Sequence, residues 1–447
     1  MNPEFQRNLW LEVTPRRVIL LVVTLSLILL AGESTFGLRR SAEVIFYGLV
    51  VIWGARQAAS AVIGEMRERT WDMQRMSSLT PWAMTWGKLL GSTAYVWVGG
   101  MICLPVLFTT ALQEAGLVAA ISDLVYFVML GLISQSVALF TSLLAARRRQ
   151  THSRLDVFLY QVLGLFAAWC AWSMWQLVLA DGDGESGRFN YEIIDWWNLE
   201  FHAAPFYLVS VFLFLGWALI GCYRLMRREL SIENTPLVWM AFLVFMAIYG
   251  GGLNSDLFGL IPDDNSLPLL HAFLIMAGLT YAAVLVEPKD AVLYRWLVEA
   301  FRAGRYREMF RRLQAWMISY AAALGAVLFL VVMFSTGLDG LGHIRVQDVG
   351  PLLAIFGLLT RDVGIFLLFP LMPGMKRGDY AAMVTLGLLY GVAPVLFGPF
   401  GGRALFLPIE PSLGILGPLI AWVEAVLVWS MVYAVAKKTV FQTRAPA

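Results

Sequence analysis

Apolar stretches of about 18 to 28 residues recur along the whole chain, separated by shorter polar connections. Helices of that length cross the ~30 Å hydrocarbon core of a bilayer. Read in order, the pattern predicts twelve spans: 18–36, 42–64, 89–112, 118–145, 157–180, 205–226, 237–253, 267–286, 315–336, 351–372, 380–397 and 413–436. The expected fold is all-α, a polytopic membrane protein of about twelve transmembrane helices in two six-helix halves, 18–230 and 231–447. Ahead of the first span, Phe5, Leu9 and Val13 recur at spacing four among Glu4, Arg7, Asn8 and Glu12. Residues 1–17 therefore predict an amphipathic helix lying in the interface. Between spans five and six, the paired Trp196–Trp197 predict an interfacial or re-entrant helix, since indole rings favour the headgroup region.

The polar connections carry the asymmetry. With a cytoplasmic N-terminus, about 26 of the 33 Lys and Arg fall on the cytoplasmic side and about five outside, the positive-inside bias of a correct topology. Arg147-Arg148-Arg149 after the fourth span is the strongest anchor, and both termini are placed inside. Two connections are long and charged, 65–88 and 287–314, and each joins the second and third spans of its half. They share a plan without residue identity, as in the parallel duplications common among transporters. The acidic residues Asp181, Asp183 and Glu185, and Asp256, Asp263 and Asp264, fall in external loops.

Composition narrows the classes. At 59% hydrophobic and 14% charged residues the chain is no soluble protein, and a net charge of +2 gives no footprint for nucleic acid. Cys103, Cys170 and Cys222 lie inside apolar runs, and His152, His202, His271 and His343 are scattered without ligand spacing. They predict no disulfide framework and no metal site, and read as structural. Residues 18–31 could imitate a leader, but the long segment before them makes this a retained first span.

The segment 65–88 has the most specific pattern. Glu65-Met66-Arg67-Glu68-Arg69-Thr70-Trp71-Asp72 mixes charges of both signs, and a short amphipathic helix then runs towards Leu79-Thr80-Pro81. Proline ends that helix, Thr80 is placed to cap the next one, and Gly87-Lys88 re-enters the membrane. This resembles the cytoplasmic coupling segment of type-2 ATP-binding-cassette exporter permeases: a Glu, a basic residue and Thr, a hydrophobic stretch, Pro, then Gly-Lys opening the third span. The family more often has Gly before the Thr, where this chain has Arg69. The resemblance covers roughly the first half of the chain. It implies an N-terminal helix lying flat before the first span and a separate cytoplasmic ATPase that receives the segment in a surface cleft. The coupling residues it implies are Glu65, Arg67, Glu68, Arg69, Thr70, Asp72, Pro81 and Lys88, with Arg75 a further contact.

No phosphate cradle exists here, because Gly87-Lys88 lacks the upstream glycine and is followed by Leu89. The chain is therefore expected to be no enzyme and to hold no cofactor, with ATP-Mg on the partner ATPase. The reading is the permease subunit of an ATP-driven exporter in a bacterial inner membrane, working as a pseudo-dimer or with a second permease copy. Two rivals remain: a secondary active transporter, and a membrane-embedded transferase whose only hints are Asp263-Asp264 and the loop 181–204. The major-facilitator pattern fails at the loop after the second span.

Within the membrane, Arg361 and Asp362 fall in the tenth span and Glu424 in the twelfth. Intramembrane charges usually face a bundle interior or a water-filled path. An Arg361–Glu424 or Arg361–Asp362 pair is expected, as a polar site on a transport route or as a structural pair. Arg361→Ala is then expected to abolish transport at normal protein levels, whereas lost expression would favour the structural pair. Gln57 and Ser134-Gln135-Ser136 read as interhelical glue, and Gly87-x-x-x-Gly91 and Gly387-x-x-x-Gly391 as sites of close helix packing. In the second long connection, Leu293, Leu297, Phe301, Phe310 and Leu313 interleave with arginines, a pattern suited to anionic lipid or to a second ATPase.

Overall fold

The computed structural model describes residues 2–77, 79–146, 154–180, 193–253, 268–336, 349–375, 377–400, 402–409 and 413–441. The arginine anchor 147–149 and the acidic residues Asp181, Asp183, Glu185, Asp256, Asp263 and Asp264 lie outside them. The chain forms two compact units: Met1–Ile194 with Leu199–Asn234, and Asp195–Asn198 with Thr235–Ala447.

Both units are mostly helical, and among the described residues ten helices are long and apolar enough to cross a membrane. Many large apolar side chains point outward, Val118 at 79%, Val395 at 74% and Leu20 at 69% exposure among them. In water such surfaces would drive aggregation. In lipid they are solvated, which makes this an all-α integral membrane protein.

In the first unit, α1 (Pro3–Glu12) precedes α2 (Pro15–Phe36), which opens on a proline at its first position. α3 (Leu38–Phe46) and α4 (Gly54–Arg67) are joined by a π-helical stretch, Tyr47–Trp53. Then come α5 (Trp71–Arg75), α6 (Pro81–Ser92), α7 (Ala94–Ala146), α8 (Arg154–Ala180) and α9 (Ala203–Glu229). At 53 residues α7 would measure about 80 Å, far more than a bilayer needs. It breaks at Gly116, whose φ of 85° and ψ of −178° only glycine adopts readily. The wider π turns leave carbonyls open, and neighbouring helices fill them. Ser134 Oγ donates to the Val51 carbonyl at 3.1 Å, Gln135 Nε2 to Val50 at 3.0 Å, and Gln161 Nε2 to Ile52 at 3.0 Å. Gln135 Oε1 also accepts from Trp97 Nε1 at 2.9 Å. The Ser134-Gln135 pair is thus interhelical glue, and its partners are the carbonyls freed by the π stretch.

Where an interfacial or re-entrant helix is expected at 193–197, the chain instead forms two short strands, β1 (Ile193–Trp196) and β2 (Leu199–His202). Trp197 and Asn198 have φ of 54° and 58°, the paired left-handed geometry of a two-residue hairpin turn. Ile193, Ile194 and Trp196 are strand formers, so local propensity outweighs the interfacial preference of the indoles.

The second unit contains α10 (Leu237–Gly251), α11 (Pro268–Val286), α12 (Ala291–Arg302), α13 (Tyr306–Arg311), α14 (Ala315–Thr336) and α15 (Val349–Leu371). α16 (Gly378–Gly387) and α17 (Ala393–Phe397) are joined by a π stretch, Leu388–Val392, and α18 (Arg403–Phe406) and α19 (Leu416–Ala436) complete it. α15 is the core helix: 83% of its apolar window is buried, against 17% for the last span. Glycines let α19 approach it. A Cβ at Gly357 would lie 2.9 Å from the Ala421 methyl, and one at Gly364 2.8 Å from Val428 Cγ1. Small residues at such a seam replace the hydrophobic drive that lipid does not supply.

Candidate functional site

The polar elbow between α4 and α6 is built from three elements and the N-terminal helix. α4 stops at Arg67, and Arg69 turns the chain with a φ of 59°. Thr70 then donates its N–H back to the Glu65 carbonyl at 2.9 Å, and α5 begins at the next residue. Thr80 caps α6, its Oγ1 accepting from the Ala83 N–H at 3.2 Å, with Pro81 as the first helical residue. The helix leading to the third span therefore starts at Pro81, six residues before Gly87-Lys88. Proline there fits because its missing N–H needs no partner.

Lys88 is the centre. Only 1% of its side chain is exposed, and its Nζ pairs with Glu65, with Glu4 Oε1 at 3.0 Å and with Gln74 Oε1 at 2.7 Å. Glu65 also accepts from Arg7 Nη2 at 2.6 Å and from Gln74 Nε2 at 2.6 Å. Arg7 reaches Glu4 at 2.9 Å, and Lys88 Nζ lies 5.5 Å from the centre of the buried Trp71 ring. Two cations and two carboxylates balance, with Arg7 closing the set from the exposed side, so burying Lys88 and Glu4 is tolerable, but only while all four are present.

α1 is clamped onto α6 by the same contacts. Asn2 Nδ2 donates to the Ala83 carbonyl at 2.5 Å, and Asn8 Nδ2 to the Gly87 carbonyl at 3.3 Å. A Cβ at Gly87 would sit 2.6 Å from Glu4 Cβ, and one at Gly91 2.8 Å from Asn8 Cβ. The Gly87-x-x-x-Gly91 spacing thus seats the N-terminal helix. Gly87→Leu is expected to displace α1, at a cost of about 1–3 kcal/mol, and to speed protease cleavage in residues 1–14 about tenfold. Limited proteolysis in detergent checks this.

The residues singled out by the sequence divide into two sets. Glu65 and Lys88 lie in the ionic cluster, with Thr70 half-buried beside it. Arg67, Glu68, Arg69 and Asp72 lie exposed, and Met73 and Met76, which follow them in the chain, are 65% and 80% exposed. Among the described residues Arg67, Glu68 and Arg69 form no ion pair. Arg75 Nε donates to the Glu229 carbonyl at 2.7 Å, fastening α5 to the end of α9. Glu4, Arg7 and Gln74 do not stand out in the sequence as partners of the elbow, because nothing in a linear pattern connects position 4 to position 88.

A second polar cluster lies inside the other unit, on α15. Arg361 and Asp362 are 2% and 0% exposed. Arg361 Nε donates to Asp362 Oδ1 at 2.9 Å and its Nη1 to Glu424 Oε2 at 2.6 Å, so both expected pairings form together. Tyr281 and Tyr390 each donate to Asp362 Oδ2, at 2.7 and 2.6 Å, and the Arg361 guanidinium lies 5.1 Å from the Tyr390 ring centre. Neither tyrosine stands out in sequence, since each looks like one more aromatic in an apolar run. A third cluster also escapes sequence reading. Arg39 donates to Glu43 at 3.0 Å and to Asp123 at 2.5 Å, with Glu114 3.8 Å away.

The second long connection closes on itself. Glu287 accepts from the Trp316 N–H at 3.4 Å, and Gln314 Nε2 donates to the Pro288 carbonyl at 2.8 Å. Tyr294 donates to Gln314 Oε1 at 2.9 Å, and burial pushes its pKa up, so it stays a donor. Lys289 pairs with Asp379 at 2.7 Å.

Comparison of the chain with family models, with curated proteins and with solved structures returned no match.

Proposed function

We propose that this chain is the membrane permease subunit of an ATP-driven exporter, with twelve spans in two six-span halves and both termini in the cytoplasm of a bacterial cell. The observation that carries this reading is the elbow: an exposed face of mixed charge and methionine, fixed through a buried ionic cluster to two helices that continue into the membrane. Such a part transmits force. A separate cytoplasmic ATPase gripping Arg67, Glu68, Arg69 and Asp72 would move α4 and α6 together, because Glu65 and Lys88 tie one to the other.

Two further features support it. The exporter family more often has Gly before the Thr, and here that position, Arg69, has the positive φ that glycine favours. An N-terminal helix, which the resemblance implies ahead of the first span, packs on α6 beside the elbow. Ten long apolar helices, the break of α7 at Gly116 and the shorter apolar α10 support the twelve-span reading. Secondary active transport is the second reading, favoured by the Arg361–Asp362–Glu424 cluster, since buried intramembrane charges often mark ion pathways.

Single cysteines in a chain lacking Cys103, Cys170 and Cys222 test the topology. Met73→Cys is expected to react with an impermeant maleimide only in inside-out vesicles, and Arg403→Cys only in spheroplasts. Labelling of Met73→Cys from outside would refute a cytoplasmic elbow.

A further inference from the structure

The second unit carries a basic surface of a different kind from the elbow. From Arg302 to Arg312 the segment has Arg302, Arg305, Arg307, Arg311 and Arg312 against a single acid, Glu308. The elbow instead balances Arg67, Arg69 and Arg75 with Glu65, Glu68 and Asp72. A mixed-sign face suits a protein partner, whereas a face of one sign suits a polyanion.

Part of this surface is a groove of about 430 Å³ lined by Thr235, Pro236, Leu237, Tyr306, Arg307, Phe310 and Arg311. Arg307 and Arg311 stand one helical turn apart on α13 and form no ion pair among the described residues. Leu237, Tyr306 and Phe310 give the groove an apolar wall. Its far side is the start of α10, whose first turn has no side-chain cap. The groove also adjoins an apolar helix. α10 is an apolar helix beginning at Leu237, and α12 and α13 are strung between the ends of two spans, α11 and α14.

We infer that this groove is a binding site for an anionic phospholipid of the phosphatidylglycerol class. The phosphodiester sits between the Arg307 and Arg311 guanidinium groups, near the first N–H groups of α10. Arginine suits phosphate because its planar fork donates two parallel hydrogen bonds. The acyl chains leave along Leu237 and the apolar flank of α10, and Tyr306 occupies the headgroup level, where aromatic rings are favoured. Arg302, Arg305 and Arg312 add a general attraction to the anionic leaflet. This site does not depend on an ATPase partner.

The test compares two charge-matched double variants of the full chain, purified in neutral detergent. Native mass spectrometry counts retained phosphatidylglycerol, and a titration with phosphatidylglycerol against phosphatidylcholine measures affinity. The wild type is expected to retain phosphatidylglycerol in preference to phosphatidylcholine. Arg307→Gln/Arg311→Gln should lose at least about tenfold more affinity than Arg302→Gln/Arg305→Gln, which removes the same charge outside the groove. Unchanged thermal unfolding in phosphatidylcholine shows that both variants are folded; if the first is not, Arg307→Lys/Arg311→Lys takes its place. That variant keeps the charge without the fork and should lose headgroup selectivity. Equal losses in the two double variants would overturn the site in favour of diffuse attraction. Displacement of the lipid by millimolar inorganic phosphate would overturn the lipid as ligand. Unchanged lipid retention combined with lost binding of a protein partner would make the groove a protein contact and also overturn the inference.

Discussion

Lys88→Met is expected to destabilise the first unit by about 3–5 kcal/mol, because it strands Glu4 and Glu65 in a buried site with one cation, Arg7, left between them. The substitution nearly preserves volume, so the loss comes from charge and not from packing. Thermal unfolding in detergent should register it, together with release of α1 from α6. A companion change separates the ionic cluster from other causes. Adding Glu65→Gln to Lys88→Met restores the charge balance and should recover at least about 1 kcal/mol, the signature of residues coupled in one network. Arg67→Ala makes the contrast. It is exposed and forms no ion pair among the described residues, so stability should change by less than about 0.5 kcal/mol, while the proposed function has it weaken binding of an ATPase.

Arg361→Ala is the second large effect. The sequence alone leads to the expectation of normal protein levels with transport abolished. The packing argues for a heavier outcome, since Asp362 is completely buried and Arg361 is its only cationic partner among the described residues, shared with Glu424. Removing the guanidinium leaves the buried Asp362 carboxylate and the partly buried Glu424 carboxylate without their cation, at a cost of about 3–5 kcal/mol. Folded protein should therefore fall in an expression assay. The variant Arg361→Met with Asp362→Asn and Glu424→Gln removes the charges as a set and keeps an acceptor for Tyr281 and Tyr390, and such replacements are often neutral for stability. If it folds and cells still export, the cluster is structural. If it folds and export stops, the charges act in transport.

How much of the fold and the site is legible in the sequence depends on how local each signal is. The break at Gly116 could be read from Gln113-Glu114-Ala115-Gly116 between two apolar runs, and the cap at Thr80-Pro81 from two adjacent residues. The Arg361–Glu424 pairing is legible because charge inside a span demands a partner, and few are on offer. Other features depend on long-range meetings that no local pattern encodes. Glu4 reads as one polar position on an amphipathic helix, yet it is a ligand of Lys88. Tyr281 and Tyr390 read as apolar filling, yet both donate to Asp362. Trp196 and Trp197 show the opposite failure. Their interfacial preference is real, but β-branched neighbours and a turn-forming Asn198 decide the local conformation.

Whether the elbow takes its force from another protein is measured most directly by ATP hydrolysis. The complex is purified from its own membranes through a tag on this chain. Mg-dependent hydrolysis should co-purify with the wild-type chain. It should fall about tenfold or more when Arg67, Glu68, Arg69 and Asp72 are replaced together by serine, with Glu65 and Lys88 left in place. A wild-type preparation without such hydrolysis, or hydrolysis undiminished by the replacement, would contradict a force-coupled elbow.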